Sequence, residues 1–479
     1  MRRLALILAC AAAGCVGLGS STPDLPDTGS TLVRTWVDHG NTGVLVPGPG
    51  EPLVPRTELA PAARLLRPLA TFAQITDAHV TDEESPARVE MLDRLGAPFT
   101  SAFRPQEALS PFVLAAIVRS VDRLHPLAVF ETGDLIDNAQ QNEMDQATAI
   151  LRGGRVDPNS GQPGYDGVQD ASNADPLIYR PSVDAPRYPR LLTQAERPFT
   201  SPGLRAPWYP LPGNHDLQVQ GNVPATPATQ RVAVGDRKLL TVERATLEEA
   251  RGKTLDRRLV DQLLAQGLPG LSEFVPADPH RRELSPAQAV AALRAASGHG
   301  GSGPLMDDTV DLGPWARAIL LDTTSRRAGA SGVLRPSQVT WLRSQLQSGG
   351  SRWLLVFSST PLTETAGAAA ALALLARDDH VVAAIAGDIH RNSITAVHTA
   401  AGGYWAITTS SLADYPQQAR AFRLWQTPSG VALQTWMLDG DPAWRLANIS
   451  RRLAWLDYQG GRPNHLAGTA ADRNATLYR

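Results

Sequence analysis

The stretch Leu211-Pro212-Gly213-Asn214-His215-Asp216 lies near the middle of the chain and decides how the rest is interpreted. The apolar residues before it are typical of a strand, and Gly213 begins a turn that presents an amide, an imidazole and a carboxylate in succession. An amide oxygen is a hard but neutral ligand that rarely holds a metal ion without stronger partners. The stretch therefore predicts carboxylate and imidazole partners elsewhere, each at the end of a strand.

Three further stretches meet this condition, because each follows an apolar, β-rich run. They are Thr76-Asp77-Ala78-His79, Gly133-Asp134-Leu135-Ile136-Asp137 and Gly387-Asp388-Ile389-His390. A single Gly-Asp or Gly-Asn pair is common turn chemistry. Four such stretches in this order are hard to attribute to chance, and together they resemble the motifs of the calcineurin-like metallophosphoesterase superfamily.

The resemblance implies a hydrolytic metal site. It assigns Asp77, His79 and His390 to a first metal ion, and makes Asp134 a ligand that both metal ions share. Asn214 would belong to the second metal ion. Mixed imidazole and carboxylate ligands suit Fe, Mn or Zn better than Ca. One or two divalent or trivalent metal ions are therefore expected, with Mg a candidate where oxygen ligands alone bind.

The same resemblance gives His215 a catalytic role, in which it protonates the leaving oxygen while Asp216 orients its ring. Asp137 is expected to support the ligands or the turn rather than to bind metal. Arg391 and Asn392 follow the last motif and are candidates for contact with phosphate; a surface role for Arg391 is the alternative.

Two positions depart from the family pattern. Ser359 stands where a second-metal histidine is expected, and Asp388 stands where the last motif usually has a histidine. Asp388 can still bind metal through oxygen, whereas a hydroxyl is a poor ligand. The second site could hold a harder ion, fill only with substrate, or stay empty. His380 and His398 flank the last motif, but surface or core positions are expected for both.

The N-terminus predicts export. Arg2 and Arg3 precede the apolar run 4–13, which has the length of a signal-peptide core and is too short to span a bilayer. Ala12-Ala13-Gly14-Cys15 resembles a bacterial lipobox, which would place a lipid on Cys15. The alternative is ordinary secretion. We therefore expect an envelope lipoprotein that contacts the membrane through this anchor only, or else a secreted or periplasmic protein.

Composition is ordinary for a globular protein. The chain has 479 residues, 43% hydrophobic and 19% charged, with a net charge of −2. Because no basic run occurs, we expect no nucleic-acid partner. The length suits one large domain with insertions, or two domains.

The order of predicted elements indicates an α/β protein. Residues 109–124 have helical spacing, with Ser110 as a cap and Pro111 at the first position, so that strand, helix and strand form a β-α-β unit. The resemblance implies a four-layer α/β/β/α sandwich with two mixed sheets and two insertions. The predicted divisions are a signal at 1–19, a tether and N-terminal extension at 20–70, a phosphoesterase domain at 71–445 with insertions at about 138–206 and 217–305, and a C-terminal extension at 446–479.

Two functions follow as hypotheses. The first is a phosphoesterase that hydrolyses a phosphate mono- or diester of a phosphorylated small molecule or lipid, using metal-activated water. The second is a catalytically impaired phosphoesterase fold that binds a ligand or partner at the cell envelope, which the departures at Ser359 and Asp388 motivate.

Overall fold

The computed structural model describes residues 29–95, 102–243, 245, 258, 261, 270–327 and 329–479. The predicted signal segment with Cys15 lies outside these residues. So does most of the stretch 241–266, whose residue spacing also predicts a helix. Within them, no helix is both long enough and apolar enough to cross a membrane.

Strands and helices of the described chain are numbered in chain order. The strands are β1 Arg34–Asp38, β2 Leu45–Pro49, β3 Val54–Arg56, β4 Pro68–Ile75, β5 Val129–Glu131, β6 Gly154–Val156, β7 Phe199–Ser201, β8 Trp208–Pro210, β9 Arg237–Leu239, β10 Ser272–Phe274, β11 Asp308–Asp311, β12 Ala316–Leu321, β13 Trp353–Ser358, β14 Val381–Ala386, β15 Ser393–Val397, β16 Tyr404–Thr408, β17 Gln418–Gln426, β18 Val431–Asp439 and β19 Ala475–Tyr478. The α-helices are α1 Ser110–Arg123, α2 Gln141–Arg152, α3 Leu191–Ala195, α4 Asn214–Leu217, α5 Pro227–Ala233, α6 Pro286–Ser297, α7 Pro336–Gly349, α8 Ala369–Leu375, α9 Arg445–Leu456 and α10 Ala470–Arg473.

Two large mixed sheets form the centre of the fold. One has the strand order β3-β19-β18-β17-β4-β5-β8, and the other has the order β11-β12-β13-β14-β16-β15. In the first sheet β4, β5 and β8 run parallel. In the second sheet β12, β13, β14 and β16 run parallel. Each sheet therefore presents a row of carboxyl-terminal strand ends on one edge.

Alternating side chains on β13 show how the layers pack. Phe357 faces the other sheet, where its ring stacks on Phe130 at 4.1 Å between centroids. Leu354 and Val356 point the opposite way, into a second apolar cluster that contains Leu342 of α7. A strand buried on both faces has apolar side chains at successive positions, as β13 does. With α1 packed on β17 and β18, the predicted sandwich of two mixed sheets between outer helices is confirmed.

Helix α1 begins one residue earlier than predicted. Its first residue is Ser110, and Leu109 precedes the helix without a side-chain cap. The Ser110 hydroxyl instead accepts a hydrogen bond from the Thr81 backbone N–H at 3.1 Å. Ser110 therefore ties the helix to the segment that follows the first motif.

Segments assigned to the two extensions take part in the larger sheet. Strand β19 pairs with β18 on one side and with β3 on the other. The insertion 138–206 contains α2, α3 and the β6–β7 pair, and the insertion 217–305 contains α5, α6 and the β9–β10 pair. Both insertions are thus ordered over their described residues.

A buried arginine joins the two sheets. Arg420, on β17, donates hydrogen bonds to the Thr409 hydroxyl at 2.9 Å and to the Asn392 side-chain oxygen at 2.8 Å. Thr409 in turn donates to the Gln74 side-chain oxygen at 2.6 Å, and Gln74 donates to the Ala386 carbonyl at 3.2 Å. Burial lowers the pKa of Arg420 to about 9. This network links β4 and β17 of one sheet to β14 and β16 of the other.

We predict that Arg420→Met lowers the free energy of unfolding by about 3 kcal/mol or more, because several buried acceptors lose their donor. Urea denaturation measures this loss. Arg423→Met is the control on the same strand, since Arg423 is half-buried and donates to the Thr71 hydroxyl at 3.1 Å. Equal losses in the two variants would contradict the role of Arg420.

Candidate metal centre

The four motif loops meet where the carboxyl ends of the two sheets adjoin. Three loops follow β4, β5 and β8 of the larger sheet, and the last follows β14 of the other. The side chains they carry are therefore drawn from both layers of the sandwich.

Backbone hydrogen bonds hold the loops together. The Asp77 and His79 N–H groups donate to the carbonyls of Gly133 and Asp134, each at 2.9 Å. Across the two sheets, the Asp388 N–H donates to the Asp77 carboxylate at 3.1 Å. The first, second and last motifs thus form one connected unit.

Backbone dihedrals in these loops are unusual. Asp77, His79, Asp134, Asp388 and His390 all have positive φ, between 44° and 69°. Residues other than glycine adopt this left-handed region rarely, and each instance costs about 1–3 kcal/mol. The surrounding hydrogen bonds must offset that cost, and the result is that five predicted ligands project from tight turns.

Two glycines permit close approach to the carboxylates. A Cβ atom at Gly213 would lie 2.1 Å from Asp134 Oδ1, and one at Gly387 would lie 2.6 Å from Asp77 Oδ2. Any larger residue would displace the carboxylate or the loop. This packing explains why glycine precedes the polar residues in these motifs.

Asp77, His79 and His390, the ligands predicted for the first metal ion, lie close together. Their potential ligand atoms lie within 4.8 Å of one another. The Nε2 atoms of His79 and His390 face each other at 3.3 Å. Two imidazole nitrogens on one tetrahedral zinc ion lie about 3.4 Å apart. The donor set and its spacing therefore fit a metal ion.

A buried carboxylate fixes the orientation of each histidine. His79 Nδ1 lies 2.7 Å from Asp137 Oδ1, and His390 Nδ1 lies 2.5 Å from Asp414 Oδ2. With Nδ1 engaged, each ring directs Nε2 towards the shared space, which is the usual arrangement behind a histidine ligand. Burial lowers the pKa of His79 to about 3, so that this imidazole is neutral and can donate its lone pair.

Asp134 and Asn214, two of the ligands predicted for the second metal ion, each take part in a hydrogen bond. Asp134 Oδ1 accepts a hydrogen bond from the His215 backbone N–H at 2.8 Å. Asn214 Nδ2 donates to the Gly221 carbonyl at 3.0 Å, which directs its oxygen away from Gly221. Among the described residues, Asp134 does not belong to any group of three side chains whose possible ligand atoms lie within 4.8 Å of one another. Its role as a ligand shared by two metal ions therefore stays a prediction.

Carboxylates crowd this site without enough positive charge to balance them. Burial, together with the charges of Asp77 and Asp216, raises the pKa of Asp134 well above its usual range, although His215 opposes the shift. Burial and Asp77 raise the pKa of Asp388 to about 6. A cation bound among these groups would remove the repulsion, so the electrostatics also fit a metal ion.

Asp137, rather than Asp216, holds the ring of His215. His215 Nδ1 lies 2.6 Å from the Asp137 carbonyl oxygen and 3.5 Å from Asp137 Oδ1. The Asp216 carboxylate instead accepts from the Gly213 and Ile136 N–H groups, at 2.7 and 3.0 Å. Although burial lowers it, Asp134 and Asp137 raise the pKa of His215 to about 9. With its side chain 22% exposed, His215 can reach a bound molecule.

Ser359 lies against the second and last motifs, and its carbonyl accepts a hydrogen bond from the Gly387 N–H at 3.0 Å. It is buried, and a Cβ atom at Gly133 would lie 2.4 Å from its hydroxyl oxygen. His380 directly precedes β14, at the end opposite to the last motif, and His398 follows the distant end of β15. The family pattern has a second-metal histidine at the position of Ser359. Neither His380 nor His398 lies where it could serve instead.

The residues after the last motif have other contacts. The exposed Arg391 donates to the Asn464 carbonyl at 3.2 Å. Asn392 is buried, and its side-chain oxygen accepts from the Ser410 N–H at 3.0 Å and from Arg420 at 2.8 Å. Asn392 thus belongs to the network between the sheets, which leaves Arg391 as the exposed candidate for substrate contact.

Sequence reasoning did not identify Asp414, Arg88 or Arg104. Arg88 donates to Asp137 Oδ2, and Arg104 donates to Asp414 Oδ1 at 2.8 Å. Asp414 lies six residues after β16, the parallel neighbour of β14. A carboxylate in the loop after a parallel strand was the signal used for the other motifs, but no glycine or histidine beside Asp414 draws attention to it.

Among known proteins, only solved structures gave matches to this chain. No family model matches the sequence, and no curated protein matches it. Among solved structures, a dimetal phosphatase from Danio rerio has 13% identity and a TM-score of 0.40, covering 78% of this chain and 97% of that one. The sulfate thiohydrolase SoxB of Thermus thermophilus, in complex with glycerol, has 12% identity and a TM-score of 0.31, covering 81% of this chain and 60% of that one. Both similarities are distant, with TM-scores below 0.5.

We predict that Gly213→Ala weakens Mn²⁺ binding at least tenfold, because its Cβ would displace Asp134. Titration calorimetry of the metal-free protein measures the affinity. Gly300→Ala is the matched control, since a Cβ atom there meets nothing within 4 Å. Equal affinities for the Gly213→Ala variant and the parent protein would show that Asp134 does not take part in metal binding.

Proposed function

We propose that this protein is a metal-dependent phosphoesterase, which hydrolyses a phosphate mono- or diester by attack of an activated water molecule. The proposal joins the resemblance to calcineurin-like metallophosphoesterases with one structural observation. That observation is the convergence of Asp77, His79 and His390, with the two Nε2 atoms 3.3 Å apart and each Nδ1 bound to a buried carboxylate.

The residues divide between two metal positions. Asp77, His79 and His390 would hold the first ion, for which mixed nitrogen and oxygen ligands favour Mn, Fe or Zn. Asp134, Asn214 and Asp388 would offer oxygen atoms alone to a second ion, a set that suits Mg or Mn. When bound, such ions supply Lewis acidity to the phosphoryl oxygens and lower the pKa of a coordinated water.

His215 is the proposed proton donor. Its Nδ1 is engaged by Asp137, so the proton available to a substrate lies on Nε2. Although burial opposes the shift, Asp134 and Asp137 raise the pKa of His215, which favours the charged imidazolium that a proton donor needs. A departing alkoxide beside Nε2 would therefore be protonated as the phosphorus–oxygen bond breaks.

The second candidate function is ligand binding without turnover. It is favoured by Ser359, a buried hydroxyl at the position where the family pattern has a second-metal histidine. A protein of this kind would bind a phosphorylated small molecule or lipid through the first metal ion alone. Metal content and turnover together distinguish the two candidates.

We expect turnover of 4-nitrophenyl phosphate or its bis ester that depends on added Mn²⁺ and falls by about a hundredfold in Asp134→Asn. Elemental analysis of the same samples gives the number of ions per chain. The matched control is Asp145→Asn, an exposed carboxylate on α2. One ion per chain with no turnover above the Asp134→Asn variant would instead identify a binding protein.

The His215→Ala variant is expected to keep its metal content and to lose activity according to the leaving group. Hydrolysis of an alkyl phosphate should fall by about 10²–10⁴-fold, as for loss of a general acid. Hydrolysis of the nitrophenyl ester should fall much less, because nitrophenolate is a weak base that departs without a proton. Steady-state rates on both esters provide the test. Loss of metal, or equal losses on both substrates, would exclude the proton-donor role.

A further inference from the structure

The two proposed histidine ligands are connected by a closed ring of polar contacts that is buried except at the half-buried His390. In order of contact, the members of the ring are His79, Asp137, Arg88, Glu107, Arg104, Asp414 and His390. The contact between His390 and His79 closes the ring. Arg88, Arg104 and Glu107 lie between the first motif and α1, in a part of the chain that none of the four motifs covers.

We infer that Arg88, Glu107 and Arg104 are positioning residues, which form one hydrogen-bonded bridge of charged residues that holds His79 and His390 in a fixed relative geometry. This inference rests on the proposed metal-dependent function. It assigns the segment before α1 a role in metal affinity, although none of the three residues contacts the proposed metal position.

Each end of the bridge uses both oxygens of a carboxylate. Asp137 binds His79 through Oδ1 and Arg88 through Oδ2. Asp414 binds His390 through Oδ2 and Arg104 through Oδ1, the latter at 2.8 Å. A carboxylate held at both oxygens cannot rotate, so each imidazole is held in one orientation.

Glu107 closes the bridge between the two arginines. Its Oε2 atom accepts from Arg88 Nη2 at 2.6 Å and from the Arg104 backbone N–H at 2.9 Å. Arg88 also donates to the Ala102 carbonyl at 2.9 Å, which fixes the chain just before Arg104. A shift of one arginine would thus be transmitted to the other through a single carboxylate oxygen.

The same segment also grips the loop that carries Asp414. Gln106 Nε2 donates to the Ala413 carbonyl at 2.9 Å. The side chains of Arg88, Glu107 and Arg104 are between 1% and 9% exposed. Charge-assisted hydrogen bonds shielded from water are stronger and less mobile than exposed ones. The bridge therefore has the rigidity that pre-organised metal ligands need.

Calorimetric titration with Mn²⁺ tests the inference on the full chain. We expect Arg104→Met to weaken the first metal affinity by about 10–100-fold, the range for loss of a residue behind a ligand. Arg104→Lys, which keeps the charge, should lose less. The control is Arg451→Met, because Arg451 is also a buried arginine, paired with Asp439 at 3.8 Å and hydrogen-bonded to Asn448.

A double-mutant cycle tests whether one bridge is shared. Arg88→Met and Arg104→Met should each weaken binding, and the double variant should lose much less than the product of the two factors. The cobalt(II) absorption spectrum of each variant reports ligand geometry independently of turnover. Circular dichroism shows whether each variant is folded. If a methionine variant is unfolded, the cycle is measured with Arg88→Lys and Arg104→Lys instead.

The outcomes separate the inference from the function on which it rests. Failure of the parent protein to bind Mn²⁺ or cobalt(II) would overturn the proposed function. If the parent protein binds metal, unchanged affinity and spectrum in Arg104→Met would overturn the positioning role alone. Fully multiplicative losses in the cycle would overturn the shared bridge.

Discussion

The whole centre depends on the contact between the Asp77 carboxylate and the Gly387-Asp388 turn, because this contact joins the motif ends of two different sheets. The Asp388 N–H donates to Asp77, and the absence of a Cβ atom at Gly387 lets the carboxylate approach. Below it, Gln74 and Arg420 tie the sheets together through buried hydrogen bonds. Interiors are close-packed, so a small slip between the sheets would separate His79 from His390.

Buried charge is the main cost of this arrangement. Carboxylates transferred from water need a partner, and a metal ion or an arginine can supply it. Burial by itself would raise the pKa of Asp137, but Arg88 lowers this pKa well below its usual range. Arg104 lowers the pKa of Asp414 in the same way, against the effect of burial. Asp134 has no comparable arginine contact among the described hydrogen bonds and ion pairs, and its pKa is raised instead. Arginines therefore balance the charge of Asp137 and Asp414, the carboxylates that bind the two histidines. The charge of Asp134 is left for a cation to balance.

Sequence reasoning was most successful where local signals and strand order agree. The parallel strands and their loops follow from apolar runs that end in Thr-Asp, Gly-Asp or Gly-Asn turns. It was less successful for residues whose roles come from long-range contacts. Asp216 shapes its own turn, while Asp137 binds both His79 and His215. Adjacent residues in a tight turn point in different directions, so nearness in sequence did not predict the partner of His215.

By itself, the sequence determined the α/β class, the positions of the four loops and the kinds of polar side chain they carry, because these depend on periodicity, turn chemistry and side-chain type. The tertiary structure decided which loops share a centre, and which residues support them. Asp414, Arg88, Arg104 and Glu107 come from segments far apart in the chain, and no local pattern marks them. Their roles arise only when the two sheets pack and bury them together, since a charged side chain chooses its partner by distance and burial rather than by sequence order.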